Sequence, residues 1–281
     1  MLLGRAGVRP SKWLGQNFLV DRSVLDAILS EVRAASPDQI VEIGAGLGTV
    51  TRELAAVARR VLAIEVDARL VEILKRSVGS MENVEVRHED VLEFDPAHEF
   101  AGRPVFVVGN IPYRITAPIL NRLVESRRFF SGAVLLTQAE VAEKIASSPG
   151  PAGSSLGVRV RAYSDVTLLR RVPRSSFHPV PEVDSILWRL DFCDEPRFSA
   201  SEESFFAVVR TLYGKRRKMI RAALRDLLSP SDVAAALLDA GVEPTARGEI
   251  LSFEELDRLA RSVAALEAGR GCGGSGRSAQ D

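Results

Sequence analysis

The chain has 281 residues, 46% of them hydrophobic and 26% charged, with 37 basic and 37 acidic side chains and no formal net charge. That length holds one large core or a large domain with a smaller companion, and the composition excludes a disordered or uniformly cationic protein. Any affinity for nucleic acid must therefore come from uneven placement of charge.

Residues 1–15 are basic and irregular, with Arg5, Arg9 and Lys12 ahead of any periodic segment. After Gly15-Gln16-Asn17-Phe18-Leu19-Val20-Asp21, Ser23 is placed to cap a helix carrying Val24, Leu25, Ile28, Leu29 and Val32 on one face. Residues 40–48 read as a strand entering a glycine-rich turn, and a helix follows with Val50, Leu54 and Val57 inward. A strand over Val61–Ile64 ends in Glu65-Val66-Asp67, and one over Val84–Val86 leads to Glu89-Asp90. The β-branched run Val105–Val108 stops at Gly109 and delivers Asn110-Ile111-Pro112-Tyr113 at its end. Pro112 keeps Ile111 out of helical angles, and a helix can begin near Thr116 with Pro118 in its first turn. Strands over Ala133–Leu136, Val166–Val172 and Ile186–Phe192 follow, with a helix over Gln138–Ser147 and a breaker-rich loop over 147–155. That loop suits either a mobile element near substrate or a plain surface turn. Alternating strands and helices predict a doubly wound α/β fold with a parallel sheet.

Four strand ends carry the candidate chemistry. Gly44, Gly46 and Gly48 allow a ligand to approach the backbone closely. A dinucleotide turn needs Gly or Ala at position 49, where Thr49 stands, whereas Glu42-x-Gly44-x-Gly46-x-Gly48 is the usual look of an S-adenosylmethionine site. Glu65 then suits the ribose and Asp90 the adenine amine of that donor. Asn110 and the Ile111 carbonyl can accept the two hydrogens of an exocyclic amine, with Tyr113 stacked on the base. The alternative is a proline turn with a capping Asn and a core Tyr. Phe177, in the proline-rich loop 177–185, is placed to close over a base opposite Tyr113, and His178 is incidental.

Composition shifts at Asp194-Glu195-Pro196, which bounds a domain over 1–195. Residues 196–268 read as an all-helical domain. Its segment Phe205–Arg225 holds Arg210, Lys215, Arg216, Arg217, Lys218, Arg221 and Arg225 without an acid, a pattern for phosphate contact or for a solvated helix face. Ser252 and Glu255 form a capping box for a last helix carrying Leu256, Leu259 and Val263, and residues 269–281 read as a disordered tail. Cys193 and Cys272 imply no disulfide framework, which points to a reducing cytoplasm. His88, His98 and His178 lack metal-ligand spacing, so no metal is expected, and no apolar run long enough to span a membrane is present.

The motifs GQNFLVD (15–21), EIGAGLG (42–48), IEVD (64–67), ED (89–90), NIPY (110–113), FHPVPEVDS (177–185) and KRRKMIR (215–221) together resemble the ribosomal RNA adenine N6,N6-dimethyltransferases, in particular the bacterial KsgA (RsmA) family. The resemblance covers residues 12–260. It implies a class I, Rossmann-like S-adenosylmethionine-dependent methyltransferase domain with a small helical RNA-binding domain. It further implies dimethylation of two adjacent adenosines near the 3′ end of 16S ribosomal RNA, within a small-subunit precursor late in assembly. By motif position Asn17, Leu19, Gly44, Gly46, Glu65, Asp90 and Asn110 would contact the donor. Asn110, Ile111, Pro112, Tyr113 and Phe177 would handle the target base, and Lys215, Arg216, Arg217, Lys218 and Arg221 the RNA. A cytoplasmic monomer is expected. Ile111 and Ala139 depart from the family's commoner Leu and Lys. The nearest rivals are the Erm enzymes, which act on large-subunit RNA, and factors that keep the fold without catalysis. The stretch GVEPTARGEILSFEEL is more like KsgA than Erm, and the intact donor-site acids argue against lost catalysis.

Overall fold

The computed structural model describes residues 10–11, 15–100 and 104–271. Arg5, Arg9, Lys12, Cys272 and the tail beyond it lie outside the described residues. The chain divides into two compact units, Met1–Glu143 with Ser164–Asp194, and Lys144–Tyr163 with Glu195–Asp281.

The first unit is built on a seven-stranded sheet in the order β4-β3-β2-β5-β6-β9-β7. Its strands are β2 (Gln39–Ile43), β3 (Arg60–Glu65), β4 (Val84–His88), β5 (Val105–Asn110), β6 (Phe130–Gln138), β7 (Ser164–Val172) and β9 (Ser185–Phe192). The strands from β4 to β6 pair in parallel, while β9 runs antiparallel to both β6 and β7. The chain steps outward from β2 to β4 and returns to lay β5 against β2. In open α/β sheets that reversal is where ligands bind, beyond the carboxyl ends of the strands. Central strands buried on both faces need near-continuous apolar runs, and Val105–Val108 are at most 2% exposed.

A short ribbon pairs β1 (Phe18–Leu19) with β8 (Phe177–His178), Leu19 opposite Phe177. Both side chains enter a core shared with Leu25, Ile28, Phe106 and Leu187. The first long helix, α1 (Arg22–Ala35), starts two residues earlier than a cap at Ser23 predicts. Its cap is Asp21, not Ser23. Asp21 is extended and its carboxylate accepts from the Ser23 N–H at 2.9 Å and from the Ser23 and Ser176 hydroxyls. A carboxylate satisfies the free N–H groups and the positive helix end together, and so displaces a neighbouring serine from the cap.

The second unit is helical, and it includes residues 144–163, which lie inside the segment read as the first domain. A helix over Ser155–Ala162 was not anticipated, because Val158 and Val160 alternate as in a strand. Its stacked core joins Phe198 to Phe205 at 4.1 Å between ring centres, with Tyr163 and Phe206 edge-on or tilted around them. Loop 147–155 is not a loose surface turn. Ser148 is fully buried and bonds the Lys144 carbonyl and the Ser154 N–H, while Tyr213 accepts from the Gly150 N–H. The segment read as one basic helix over 205–225 is broken: the helix Glu202–Gly214 ends at its glycine, and Lys215–Met219 form a turn before Ile220–Ala223. The capping box at the last helix, Phe253–Gly271, forms as expected, with reciprocal Ser252–Glu255 bonds of 2.8 and 3.2 Å. That helix runs into the segment read as tail.

Asp21→Ala is expected to cost about 1–2 kcal/mol of stability, measured by urea unfolding at pH 7. The hydroxyl and N–H bonds of Ser23, with the hydroxyl of Ser176, hold the Asp21 carboxyl below its usual range. Its contribution is thus present above the unfolded carboxyl pKa and is lost as pH falls through the lower folded value. The gap between wild type and variant should therefore narrow as the pH is lowered through the acid range.

Candidate active site

At the reversal between β2 and β5 the structure opens a cleft with about 770 Å³ of empty space, part of it open to solvent. Asn17, Gly44, Gly46, Glu65, Asp90, Asn110, Ile111, Pro112 and Tyr113 all line it. The motifs come from five separate stretches of chain and meet because β4, β3, β2 and β5 are neighbours whose ends point the same way.

Glu65 ends β3 and is 6% exposed. Its Oε2 accepts from the Gly46 N–H and its Oε1 from the Asp67 N–H, both at 2.9 Å. Burial raises its pKa, and these two backbone donors act in the opposite sense. Each oxygen retains a lone pair for a further donor, as a pair of ribose hydroxyls requires. Gly46 has φ +57°, and a Cβ there would sit 3.2 Å from the Phe18 ring, so only glycine lets the turn pass under that ring. Asp90 is partly exposed at the third strand end, and its Oδ1 accepts from the Leu92 N–H at 2.9 Å. The residues fit an adenosyl donor: a carboxylate with spare acceptors, a second acid one strand away, and a glycine turn open to a ligand.

Asn110 closes β5. Its Nδ2 donates to the Asn17 carbonyl at 2.8 Å, which turns Oδ1 away as an acceptor. Ile111 is buried, and its N–H donates to the Leu136 carbonyl at 3.0 Å. A Cβ at Gly109 would come within 2.6 Å of Ile111 Cδ1 and 3.3 Å of Ile43 Cβ, so a side chain there would displace Ile111 from its packing. Tyr113 is half-buried, and its hydroxyl is tied to Ser185 Oγ at 3.0 Å. Burial raises the pKa of this phenol, which stays neutral.

Two expected site residues are placed elsewhere. Leu19 and Phe177 do not line the cleft; they pair across the β1–β8 ribbon, and Phe177 is 2% exposed. An aromatic ring on the inward side of a two-stranded ribbon gains more by packing on the core than by standing in solvent. Phe177 is therefore not presented opposite Tyr113 in this structure. Gln16 also enters the cleft wall, tied to Asp67 behind it. Gln16 donates to Asp67 Oδ2 at 2.9 Å, and Asp67 is held at about 2, chiefly by the Arg69 side chain. The signal was the position of Gln16 inside the GQNF motif. Below the cleft Glu42 is 3% exposed, and its Oε2 has no hydrogen-bond partner among the described residues. Burial, with a push from the Glu65 carboxylate, lifts its pKa to about 8.

In the helical unit the basic cluster separates into two sets. Lys215 pairs with Asp226, and Arg216 bonds the Gly153 carbonyl and stacks over Tyr213. Arg217, Lys218 and Arg221 are exposed and form no ion pair among the described residues. Among the described residues no helix is long and apolar enough to cross a membrane, and no group of three His, Cys, Asp or Glu side chains is placed to hold a metal.

The profile of the family described as ribosomal RNA adenine dimethylase matches residues 9–264. A protein of Alkaliphilus oremlandii named ribosomal RNA small subunit methyltransferase A is 39% identical, over 90% of this chain and 92% of its own. A protein of the same name from Clostridioides difficile is 36% identical over 90% of each chain. Among solved structures, the 23S rRNA methyltransferase ErmE superposes with a TM-score of 0.71 at 32% identity, over 88% of this chain and all of its own. A dimethyladenosine transferase from Plasmodium falciparum superposes with a TM-score of 0.75 at 24% identity, over 90% and 98%; this second likeness shows the fold.

Glu65→Ala is expected to weaken S-adenosylmethionine binding by about 1.5–3 kcal/mol, the range for hydrogen bonds to a charged group. Calorimetric titration with the donor measures it, and an unchanged dissociation constant would move the ribose contact off this carboxylate.

Proposed function

The chain belongs to the ribosomal RNA adenine dimethylase family, and from that premise we propose that Asn110, Ile111 and Tyr113 hold its target adenine while Glu65 and Asp90 hold the donor. The enzyme is an S-adenosylmethionine-dependent dimethyltransferase acting on N6 of adenine in 16S ribosomal RNA. Its acceptors are two adjacent adenosines near the 3′ end, in a small-subunit precursor late in assembly, and the protein works as a cytoplasmic monomer. The observation that carries the assignment is the Asn110 carboxamide, turned by the Asn17 carbonyl so that its oxygen is the atom left to accept.

Bound S-adenosylmethionine supplies an electrophilic methyl group on its sulfonium. The protein's own part is to make a poor nucleophile competent and to hold it in line. The N6 lone pair of adenine is delocalised into the ring. Acceptors on the N6 hydrogens, Asn110 Oδ1 and the Ile111 carbonyl, favour a tetrahedral nitrogen whose lone pair can attack. Tyr113, with its hydroxyl anchored on Ser185, offers a fixed ring face to the extruded base. Glu65 receives the ribose hydroxyls of the donor and Asp90 its adenine amine, with Asn17, Gly44 and Gly46 along the same wall. Leu19 acts from below the wall, through the ribbon it forms with Phe177. Pro112 stiffens the turn. No general base tuned near neutrality is needed, because the proton lost after methylation is acidic and leaves to water.

The helical unit carries RNA binding, with Arg217, Lys218 and Arg221 as the phosphate contacts and Lys215 and Arg216 as supports for the turn that presents them. This division refines the expected cluster of five.

The decisive experiment incubates the protein and labelled donor with undermodified small subunits and analyses nucleosides. N6,N6-dimethyladenosine in small-subunit RNA is expected; a monomethyl product at exhaustion, or label only in large-subunit RNA, would overturn the assignment. In the same assay Asn110→Ala should lose at least about 100-fold in turnover, the scale of a lost transition-state hydrogen-bonding group, with the fold intact by circular dichroism. Replacing Arg217, Lys218 and Arg221 by Ser should weaken subunit binding and flatten its salt dependence, each lost phosphate contact reducing the log–log slope by about 0.7–0.9. The same changes at Lys215 and Arg216 should act mainly on thermal stability. Equal salt slopes for wild type and the first variant would remove those three residues from the interface.

A further inference from the structure

We propose that Gln16 is a positioning residue for methyl transfer: by clasping Asp67 it fixes the Asn17 carbonyl that orients the Asn110 side chain. This rests on the reading of Asn110 as the acceptor for the target amine.

The segment Gly15–Phe18 forms one wall of the cleft. It has little regular structure of its own until β1, so its position depends on side-chain ties. Gln16 supplies the main one. Its Nε2 donates to Asp67 Oδ2 at 2.9 Å, and its Oε1 accepts from the Ser11 N–H at 2.8 Å, while its own N–H donates to the Ser11 carbonyl at 3.3 Å. Both ends of the carboxamide are thus committed, and their identities are set: oxygen to a donor, nitrogen to a carboxylate.

Asp67 is a rigid post for this clasp. Its side chain is 5% exposed, its Oδ1 accepts from the Arg69 N–H and Nε–H at 3.0 Å, and its Oδ2 accepts from an Arg69 terminal nitrogen at 2.6 Å. Its backbone N–H is bonded to Glu65. With its oxygens on Arg69 and Gln16, Asp67 is not a spare acceptor for ribose. Its work is to anchor the wall.

One residue beyond the clasp, the Asn17 carbonyl accepts from Asn110 Nδ2 at 2.8 Å. The terminal torsion of an Asn side chain is broad and roughly two-fold, so an untied carboxamide can rotate and present its N–H groups instead of its oxygen. Presented that way it would repel the hydrogens of an amine. A backbone carbonyl can only accept, so Asn17 selects the one orientation that leaves Oδ1 toward the amine. The chain of dependence runs from Asp67, through Gln16 and one peptide, to the group that acts on substrate. The Asn17 side chain stiffens that peptide by donating to the Gly15 carbonyl at 3.2 Å.

The test uses the full-length protein, undermodified small subunits and the donor. It reads both donor affinity by calorimetry and turnover at saturation. Gln16→Ala is expected to lower turnover about tenfold, the worth of one hydrogen bond, while the donor dissociation constant moves less than about threefold. Gln16→Glu places a second carboxylate beside Asp67. It should show the same loss at about pH 8 and recover turnover as pH falls toward about 5.5, where the introduced carboxyl takes up a proton and donates again. Wild type and Gln16→Ala should show no such recovery. A weakened donor affinity with unchanged saturated turnover would make the clasp a donor lid only and overturn the proposal. So would Gln16→Glu without rescue at low pH, or both variants at wild-type turnover. Asn110→Ala is assayed beside them: wild-type turnover in that variant would overturn the role of Asn110 itself, whereas its inactivity with intact Gln16 variants would sink the clasp alone.

Discussion

A buried carboxylate is tolerated only when its charge is met, and the cleft is arranged around one such group. Glu65 meets the Gly46 N–H on one oxygen and the Asp67 N–H on the other. The first bond closes the glycine turn onto the neighbouring strand; the second shapes the turn that starts the next helix at Asp67. Burial works against ionising Glu65, and those donors work for it. A further pair of hydroxyl donors from a bound ligand would satisfy the remaining lone pairs, so occupancy of the cleft completes a set of bonds that the fold half builds. Glu42, one strand over, shows the contrast: burial, more than the Thr51 hydroxyl can offset and with a push from the Glu65 carboxylate, lifts its pKa to about 8.

The acceptor side follows a different logic. The proposed acceptor groups are themselves uncharged. The groups are a carboxamide, a backbone carbonyl and a phenol kept neutral by burial. Polarising an amine calls for acceptors, not for a base, because the proton released on methylation is acidic. Orientation therefore carries the burden. Ile111 is fixed through its N–H to Leu136, Tyr113 through its hydroxyl to Ser185, and Asn110 through Asn17. Each tie comes from a different stretch of chain, which is why the turn is stiff although Ile111 and Pro112 lie between β5 and the 3-10 turn Tyr113–Ile115.

The strand ends of the donor site were legible in the sequence because each is written locally: an apolar run, then a glycine or an acid. Glu65, Asp90 and Asn110 needed only the right strand boundaries, and the parallel sheet brought them together. What was not legible depended on contacts across the fold. Phe177 reads as a stacking ring beside prolines, yet pairing with Leu19 turns it into the core. Ser23 reads as a cap, yet Asp21 takes the position because Ser176, far along the chain, supplies a further donor to the same carboxylate. The helix over Ser155–Ala162 is hidden by its β-branched alternation, and the break at Gly214 by the run of basic residues around it. The proposed role of Gln16 is of this second kind, since its partner lies 51 residues away.

Dimethylation places one more demand on the acceptor turn. After the first transfer the amine has a single hydrogen, so only one of the two acceptors can be used, and the nitrogen must still present its lone pair to the donor. With the proposed acceptors at both Asn110 and Ile111, whichever side the first methyl group takes, the other would still hold the remaining hydrogen. The energetic cost is one hydrogen bond, about 1 kcal/mol, which slows the second step without stopping it. A turn with a single acceptor would lose its grip entirely when the methyl group took that side. The pairing of a side-chain oxygen with a backbone oxygen is thus better suited to two transfers than to one. The backbone member is also the one no substitution can delete, which places the adjustable part of the site on Asn110 and on the peptide that orients it.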